Sequence, residues 1–323
     1  MEQILAPQIE YLLWLQNFRE MTGGVLDNFF LFITSCGEIT IPALVMACIY
    51  WCIDSKIGTY LFFNWSMGTV ACQFLKTLGC IYRPWILDNR IHPIDSAIKM
   101  ANGYSFPSGH SQTAVSVYGG MAKSFNNNFL KAFLVILVLL IAFSRNYIGV
   151  HTPQDVIVAL ILGLVLLLFI DKMMKWVDEG KNRDLWVILG VVLSAVALLV
   201  YEEFKVYPMD YLNSELLVDP IKMRLSSLPK IGLYFGVFGG WFVTRRFIKF
   251  NAKIGTVKEK FVRFVIGAAI LGIISAQTTH LVGAEGALKY CAAFVSFASG
   301  FFTIAIYPAM VVFVRKNILK KEI

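Results

Sequence analysis

Three short polar clusters interrupt an otherwise apolar chain, and their residue types could together bind and cleave a phosphoester. They supply three cations, two histidines, two serine hydroxyls and a carboxylate. Guanidinium groups bind phosphate oxygens in bidentate fashion and a lysine adds a point charge, so this set could perform phosphoryl transfer without a metal ion. The clusters are Lys76-x6-Arg83-Pro84, Pro107-Ser108-Gly109-His110 and Ser144-Arg145-x5-His151-x3-Asp155.

The second cluster lies where a loop becomes an apolar run, which predicts a helix starting at Gly109. Ser108 is a favourable N-cap residue, and the free N–H groups of a helix start form an anion site. Glycine lets the backbone approach a ligand closely. Such fixed donors would stabilise charge on phosphate oxygens as a pentacoordinate centre forms.

The third cluster predicts an oriented histidine. Thr152-Pro153 is a helix-start pattern, and Asp155 follows His151 by four residues. That spacing lets the carboxylate hold one imidazole nitrogen and direct the other at a substrate, as a base or nucleophile requires. A structural alternative is that Thr152 and Asp155 form a capping box.

Four other features compete for a role. Glu38 lies inside the first predicted span, where a carboxylate is either functional or buried in a neutral or paired form. His280 ends a later span and is expected to be an interfacial polar residue, and His92 is expected to be a solvated loop histidine. The segment from Glu202 to Lys230 could be a lid or a simple loop.

The composition is that of a membrane protein. Of 323 residues, 57% are hydrophobic and 15% are charged, against about 25% charged in soluble proteins. Mean hydropathy is +0.65. Disordered, fibrous and nucleic-acid-coating classes are excluded. The cysteines show neither a disulfide framework nor metal-ligand spacing, so no metal or other cofactor is expected.

Runs with few or no charged residues predict about nine membrane-spanning helices in an all-α polytopic bundle. Before them, apolar residues between Ile4 and Phe18 predict an interfacial helix in residues 1–23. The predicted spans are Asn28–Ile53, Ile57–Leu75, Gly109–Ala122, Ala132–Phe143, Val156–Ile170, Leu185–Tyr201, Ile231–Thr244, Phe264–Val282 and Tyr290–Val314.

Nine spans place alternate loops on opposite faces and sort the basic residues unequally, 18 on one face and 11 on the other. By the positive-inside rule the richer face is cytoplasmic. The N-terminus and all three polar clusters are then outside, which predicts a plasma-membrane protein with an outward-facing site. This sorting also explains the net charge of +8, so nucleic-acid binding is not needed to account for it.

The three clusters resemble the signature motifs of the type 2 phosphatidic acid phosphatase superfamily, the integral lipid phosphate phosphatases related to vanadium haloperoxidases. The resemblance covers about residues 57–170. It implies that His151 attacks phosphorus to form a phosphohistidine, that Asp155 orients it and that His110 protonates the leaving oxygen. The phosphate would be bound by Lys76, Arg83, Ser108, Gly109 and Arg145.

The chain departs from the six-helix pattern of that family by about 150 residues after the third motif. We therefore predict a catalytic core in residues 24–174 and further membrane helices in residues 175–323. Extra C-terminal spans resemble the sphingosine-1-phosphate phosphatases, whereas Gly109 is common among bacterial lipid and polyprenyl-diphosphate phosphatases. The sequence is therefore compatible with either group of phosphatases.

The sequence thus predicts a metal-independent enzyme that hydrolyses lipid phosphates or diphosphates outside the cytoplasm, with the bilayer and the lipid as its partners. One alternative is a phosphotransferase that uses the same phosphohistidine with an alcohol acceptor. Another is an anion transporter, which would keep the cations but would not need His151 paired with Asp155. No oligomeric state is predicted.

Overall fold

The computed structural model describes residues 2–98, 101, 103–212, 214–283 and 288–320. These residues are helical apart from loops and one small hairpin, β1 (Tyr211–Leu212) and β2 (Glu215–Leu216). Four π-helical turns, Ile49–Ile53, Val115–Gly119, Phe302–Ile306 and Val314–Ile318, continue α-helices. The α-helices are α1 (Glu2–Met21), α2 (Asp27–Ser35), α3 (Thr40–Cys48), α4 (Ser55–Gly79), α5 (Pro84–Leu87), α6 (Asp95–Ile98), α7 (Gly109–Ala114), α8 (Gly120–Ser124), α9 (Asn128–Tyr147), α10 (Pro153–Asp178), α11 (Arg183–Phe204), α12 (Pro220–Phe247), α13 (Val257–Gly283), α14 (Leu288–Phe301) and α15 (Tyr307–Phe313).

The all-α class is confirmed, and every predicted span falls in a helix or in consecutive helices. In the described residues, four helices are long and apolar enough to cross a membrane, or five if the bent pair α2 and α3 is one span. The count of about nine remains a prediction. The four are Asn128–Tyr147, Pro153–Asp178, Arg183–Phe204 and Tyr290–Ile318.

The first predicted span is not one straight helix. Its two parts, Asp27–Ser35 and Thr40–Ile53, are bent by 48°. Gly37 lies in the break, where a Cβ would come within 2.8 Å of Ile141 and 3.3 Å of the His110 Cβ. The break therefore brings the α2 end against the helix that carries His110, which a hydropathy pattern does not reveal.

The surfaces of the long helices explain the low charge content. Ile136, Leu164 and Leu193 are each more than half exposed, and they belong to α9, α10 and α11. Soluble proteins rarely expose contiguous apolar patches of this kind, whereas lipid-facing helices do. The chain is an integral membrane protein.

One of two compact units holds all three polar clusters, and it comprises Met1–Pro42, Ala71–Leu167 and Val206–Met223. Within it, α9 packs against α1, α2, α7 and α8. The α9 core stripe of Leu134, Val138, Ile141 and Ala142 is buried, and its helical spacing makes one apolar face. Arg145 lies on the same face of α9 about one turn later, and it is therefore buried as well.

The second compact unit comprises Ala43–Val70, Leu168–Lys205 and Arg224–Ile323. Its helices α12 and α14 approach so closely that a Cβ on Gly232 or Gly236 would collide with the backbone of Ala293 or Phe297. Small residues allow such contact between membrane helices. The unit is also held by a hydrogen bond from Trp51 Nε1 to the Thr303 carbonyl, 2.8 Å.

Helix α1 packs on the loop between the first two clusters. Ile9, Leu12 and Leu15 are buried around Ile91. The Gln16 side chain accepts a hydrogen bond from the His92 backbone N–H at 2.8 Å. Helix α1 thereby fixes the path of this loop. His92 itself is exposed, as the sequence predicted.

Candidate active site

The helix ends of the first unit bring the three clusters together. The first cluster joins the last turn of α4 to the residue before α5, the second starts α7, and the third connects α9 to α10. His151 lies at the centre of the arrangement and is 2% exposed. Its backbone N–H donates to the Arg145 carbonyl at 3.3 Å, and its carbonyl accepts from Asn146 Nδ2 at 2.8 Å. These two hydrogen bonds fix the backbone of the residue that carries the imidazole.

Asp155 holds the imidazole in the way that its spacing predicted. One carboxylate oxygen, Oδ2, lies 3.2 Å from His151 Nδ1. The same oxygen accepts from the Thr152 backbone N–H at 2.9 Å, and the Asp155 N–H donates to Thr152 Oγ1 at 3.4 Å. The capping box and the imidazole contact thus coexist. With Nδ1 as the donor to this carboxylate, the lone pair of the neutral ring lies on Nε2.

Ser105 is a third partner of this pair that the sequence did not predict. Its Oγ donates to Asp155 Oδ2 and lies 3.2 Å from His151 Nδ1. The side chain is fully buried. Ser105 comes two residues before the second cluster, and only that proximity could have drawn attention to it.

Arg83 contacts the other nitrogen of the ring. Its Nη1 lies 2.9 Å from His151 Nε2 and donates to the Val150 carbonyl at 3.0 Å. Its Nε donates to the Gly103 carbonyl at 3.1 Å. Burial lowers the pKa of Arg83 to about 10, so the guanidinium stays charged at neutral pH.

Lys76 is anchored to the same stretch of backbone as Arg83. Its Nζ donates to the Tyr104 carbonyl at 2.9 Å and to the Ser105 carbonyl at 3.1 Å. The carbonyl groups of residues 103–105 therefore hold both cations of the first cluster. This arrangement concentrates positive charge beside His151.

The second cluster has the predicted helix start. Ser108 Oγ accepts from the Ser111 N–H at 3.4 Å, and α7 begins at Gly109. A Cβ on Gly109 would meet nothing within 4 Å, so the backbone is open to a ligand there. Within the described residues, the buried Nε2 of His110 has no hydrogen-bond partner.

Arg145 completes the set from the end of α9. Its Nη1 donates to Thr34 Oγ1 at 2.6 Å, a partner that the sequence did not predict. Its buried Nε has no hydrogen-bond partner in the described part of the chain. Glu38 is close enough to interact electrostatically with Arg145, which brings this carboxylate to the site.

The electrostatics of the site favour a neutral His151. Burial lowers its pKa well below the usual 6.5, and the charges of Arg83, Arg145 and Lys76 lower it further. A neutral imidazole keeps the lone pair that nucleophilic attack needs. His280, by contrast, is exposed at the end of α13. Among the described residues, no three His, Cys, Asp or Glu side chains are grouped as metal ligands would be.

Two family models match the chain. The PAP2 superfamily matches residues 57–179, which include all three clusters. The PAP2 superfamily phosphatase transmembrane extension matches residues 230–321. The chain belongs to the PAP2 superfamily. For this PAP2 protein, the extension covers most of α12 and the helices from α13 to α15.

Relatives of this PAP2 chain are membrane lipid phosphatases. The undecaprenyl-diphosphatase BcrC of Bacillus subtilis is 29% identical over 48% of this chain and 81% of the relative. A probable sphingosine-1-phosphate phosphatase of Dictyostelium discoideum is 24% identical over 59% of this chain and 48% of the relative. The lipid A 4'-phosphatase of Porphyromonas gingivalis is 25% identical over 53% and 75%. No solved structure matches this PAP2 chain.

Proposed function

We propose that this chain hydrolyses lipid phosphate monoesters or diphosphates through a phosphohistidine at His151, without a metal ion. The observation that carries the proposal is the buried pair of His151 and Asp155, joined at 3.2 Å and flanked by the cations. An anion transporter would need the cations alone. The pair therefore favours chemistry over transport.

In the first step, His151 Nε2 attacks phosphorus while the bond from phosphorus to the lipid oxygen breaks. Arg83 Nη1 lies 2.9 Å from Nε2 in the structure, so phosphate oxygens would take over this donor as the substrate enters. His110 donates a proton to the leaving oxygen, which departs as the lipid alcohol or lipid phosphate. Asp155 stabilises the imidazolium that forms.

In the second step, water attacks the phosphohistidine. His110 accepts a proton from that water, the bond between Nε2 and phosphorus breaks, and inorganic phosphate leaves. Charge on the phosphate oxygens is balanced throughout by fixed cations and backbone donors. These groups are Lys76, Arg83, Arg145 and the helix start at Ser108 and Gly109.

The lipid tail would lie in the bilayer or between helices while the head group enters the polar cluster. The unequal sorting of basic residues supports an outward-facing site in the plasma membrane. We assign residues 1–23 to the interface, residues 24–174 to the catalytic core and residues 175–323 to additional membrane helices. Trp14 on α1 is 62% exposed, and tryptophan is enriched at membrane interfaces.

Purified protein in detergent with EDTA tests the reaction. We expect release of inorganic phosphate, an acid-labile phosphoenzyme after rapid quenching, and loss of both in His151→Ala with an unchanged unfolding temperature. A labelled phosphoenzyme in His151→Ala would refute the assignment. Transfer of phosphate to an added alcohol in preference to water would identify a phosphotransferase. Phosphatidate, sphingosine-1-phosphate and a polyprenyl diphosphate, compared side by side, would identify the lipid class.

A further inference from the structure

Residues 206–223 belong to the unit that contains the polar clusters, although they follow α11 in the C-terminal half of the chain. They lie between the two regions that the family models match, residues 57–179 and 230–321. We name residues 206–212 and 214–223 the bracing segment. It contains the β1–β2 hairpin, with Tyr211 opposite Leu216.

The bracing segment packs against the loop that precedes the second polar cluster, and the two form a small apolar core. Tyr207, Val218 and Met223 are buried around Tyr104, and Cys80 and Tyr82 pack against this core. Tyr104 has no exposed surface. It is also the residue whose carbonyl holds Lys76 at 2.9 Å. The apolar core therefore packs directly on a residue that anchors a phosphate-binding cation.

Two hydrogen bonds tie the bracing segment to the first motif. The Tyr82 hydroxyl, next to Arg83 in the chain, donates to Asp210 Oδ2 at 2.7 Å. Gln73 Nε2, one turn before Lys76, donates to the Met223 carbonyl at 3.4 Å. Gln73 thus contacts the bracing segment three residues before Lys76, and Tyr82 does so immediately before Arg83.

Met223 of the bracing segment also lies against Gly103. Gly103 has φ +65°, and a Cβ there would lie 2.6 Å from Met223 Sδ. Only glycine combines this backbone conformation with this space. The Gly103 carbonyl accepts from Arg83 Nε at 3.1 Å. The thioether of Met223 therefore packs against the residue that fixes Arg83.

We propose that the bracing segment positions the two cations of the first motif by holding the carbonyl groups of residues 103–105, with Met223 as its main positioning residue. Residues 103–105 belong to neither a helix nor a strand, so the regular hydrogen bonds of secondary structure do not fix them. Lys76 and Arg83 repel each other, and their anchors must resist this force. Even a small displacement of such groups weakens their contacts with a bound phosphate.

Met223→Ala tests the proposal, which rests on the proposed function for its kinetic readout. We expect the inhibition constant of inorganic phosphate and the KM to rise about tenfold, with a smaller change in kcat. The acid limb of kcat/KM should also move to higher pH, because cations that drift from His151 depress its pKa less. A general packing defect would not shift that limb.

Two variants serve as controls. Met223→Leu keeps the volume and should restore phosphate inhibition to within about twofold. Met310→Ala, at a methionine of α15 that is 47% exposed, should leave kinetics unchanged. Unchanged phosphate inhibition in a folded Met223→Ala protein would overturn the proposal, as would an equal loss in Met310→Ala.

If Met223→Ala does not fold, Tyr82→Phe decides the matter, because it removes only the hydroxyl that binds Asp210. Loss of one hydrogen bond should raise the inhibition constant of phosphate by a factor of about three, and no change would overturn the proposal. Calorimetric binding of inorganic phosphate needs no turnover. Weaker phosphate binding in these variants would therefore support the role of the bracing segment without any measurement of turnover. If the wild-type protein hydrolysed no lipid, only the proposed function would be refuted.

Discussion

Arg83 Nη1 and His151 Nε2 are 2.9 Å apart, which places a guanidinium donor on the nitrogen that the proposed reaction uses as nucleophile. Because Nδ1 faces the Asp155 carboxylate, Nε2 of a neutral ring is the acceptor for Arg83. The contact holds the ring in the tautomer that can attack phosphorus. A phosphate group would have to exchange this hydrogen bond for its own.

Arg83→Lys tests this contact. A lysine ammonium is a point charge and cannot bind Nε2 and the Gly103 carbonyl with one rigid fork. We expect kcat/KM to fall about 100-fold, with an unfolding temperature within a few degrees of wild type. Arg90→Lys, at an exposed arginine of the same loop, is the matched control. Equal activity of Arg83→Lys and wild type would exclude a role for the fork.

The pH profile should report the depressed pKa of His151. Since burial and three cations hold this pKa well below 6.5, the neutral nucleophile persists into acid, and the acid limb of kcat/KM should lie below pH 6.5. Lys76→Gln removes one of the cations, so the pKa should rise and the limb should move to higher pH. Lys56→Gln, at an 85% exposed side chain, should not move it. A limb above pH 6.5 in wild type would contradict the assignment.

Ser105→Ala should slow the chemical step. The hydroxyl binds the Asp155 carboxylate and lies beside His151 Nδ1, so its loss leaves both groups less well oriented. We expect kcat to fall about tenfold while KM changes little. The control is Ser66→Ala, because Ser66 is equally buried but bonds only to the backbone of its own helix in the described contacts. Similar losses in both variants would mean that Ser105 acts through stability.

Glu38→Gln should tighten phosphate binding. The Glu38 carboxylate opposes the positive charge of Arg145, and removing a negative charge beside an anion site favours the anion. At an effective dielectric constant between those of protein and water, the inhibition constant of inorganic phosphate should fall by a factor of about five. If Glu38→Gln instead abolishes turnover, the carboxylate takes part in the chemistry.

Thiol labelling in intact cells tests the orientation. Ser96, in the short helix α6, and Lys258, at the start of α13, are exposed, and the charge distribution predicts that they lie on opposite faces. A membrane-impermeant reagent should label Ser96→Cys in intact cells and Lys258→Cys only after permeabilisation, with the wild-type protein reporting background from the exposed Cys291. The reverse pattern would invert the topology. Labelling of both from outside would show that the number of spans between them is wrong by one.

Local spacing made part of the site predictable. His151 and Asp155 are four residues apart at a helix start, and Ser108 precedes an apolar run, so short-range geometry fixes both contacts. Ser105 and Thr34 were missed because their partners lie 50 and 111 residues away. Only the tertiary structure selects such pairs.

Hydropathy located the helices but not their interruptions. The segment from Asn28 to Ile53 reads as one apolar run, yet Gly37 breaks it where the backbone approaches His110. Residues 202–230 mix apolar and acidic side chains without a regular period, so the contact between Met223 and Gly103 could not be inferred. Close approaches of this kind depend on neighbours that periodicity does not include.

The shared use of Asp155 affects the choice of an inactive variant for trapping a bound lipid. Its Oδ2 orients the imidazole and also accepts a hydrogen bond from the Thr152 N–H at the start of α10, so Asp155→Ala would remove one of the two capping-box hydrogen bonds along with the activity. His151→Ala leaves that hydrogen bond in place and removes only the nucleophile. Substrate complexes for structure determination should therefore be prepared with the histidine variant.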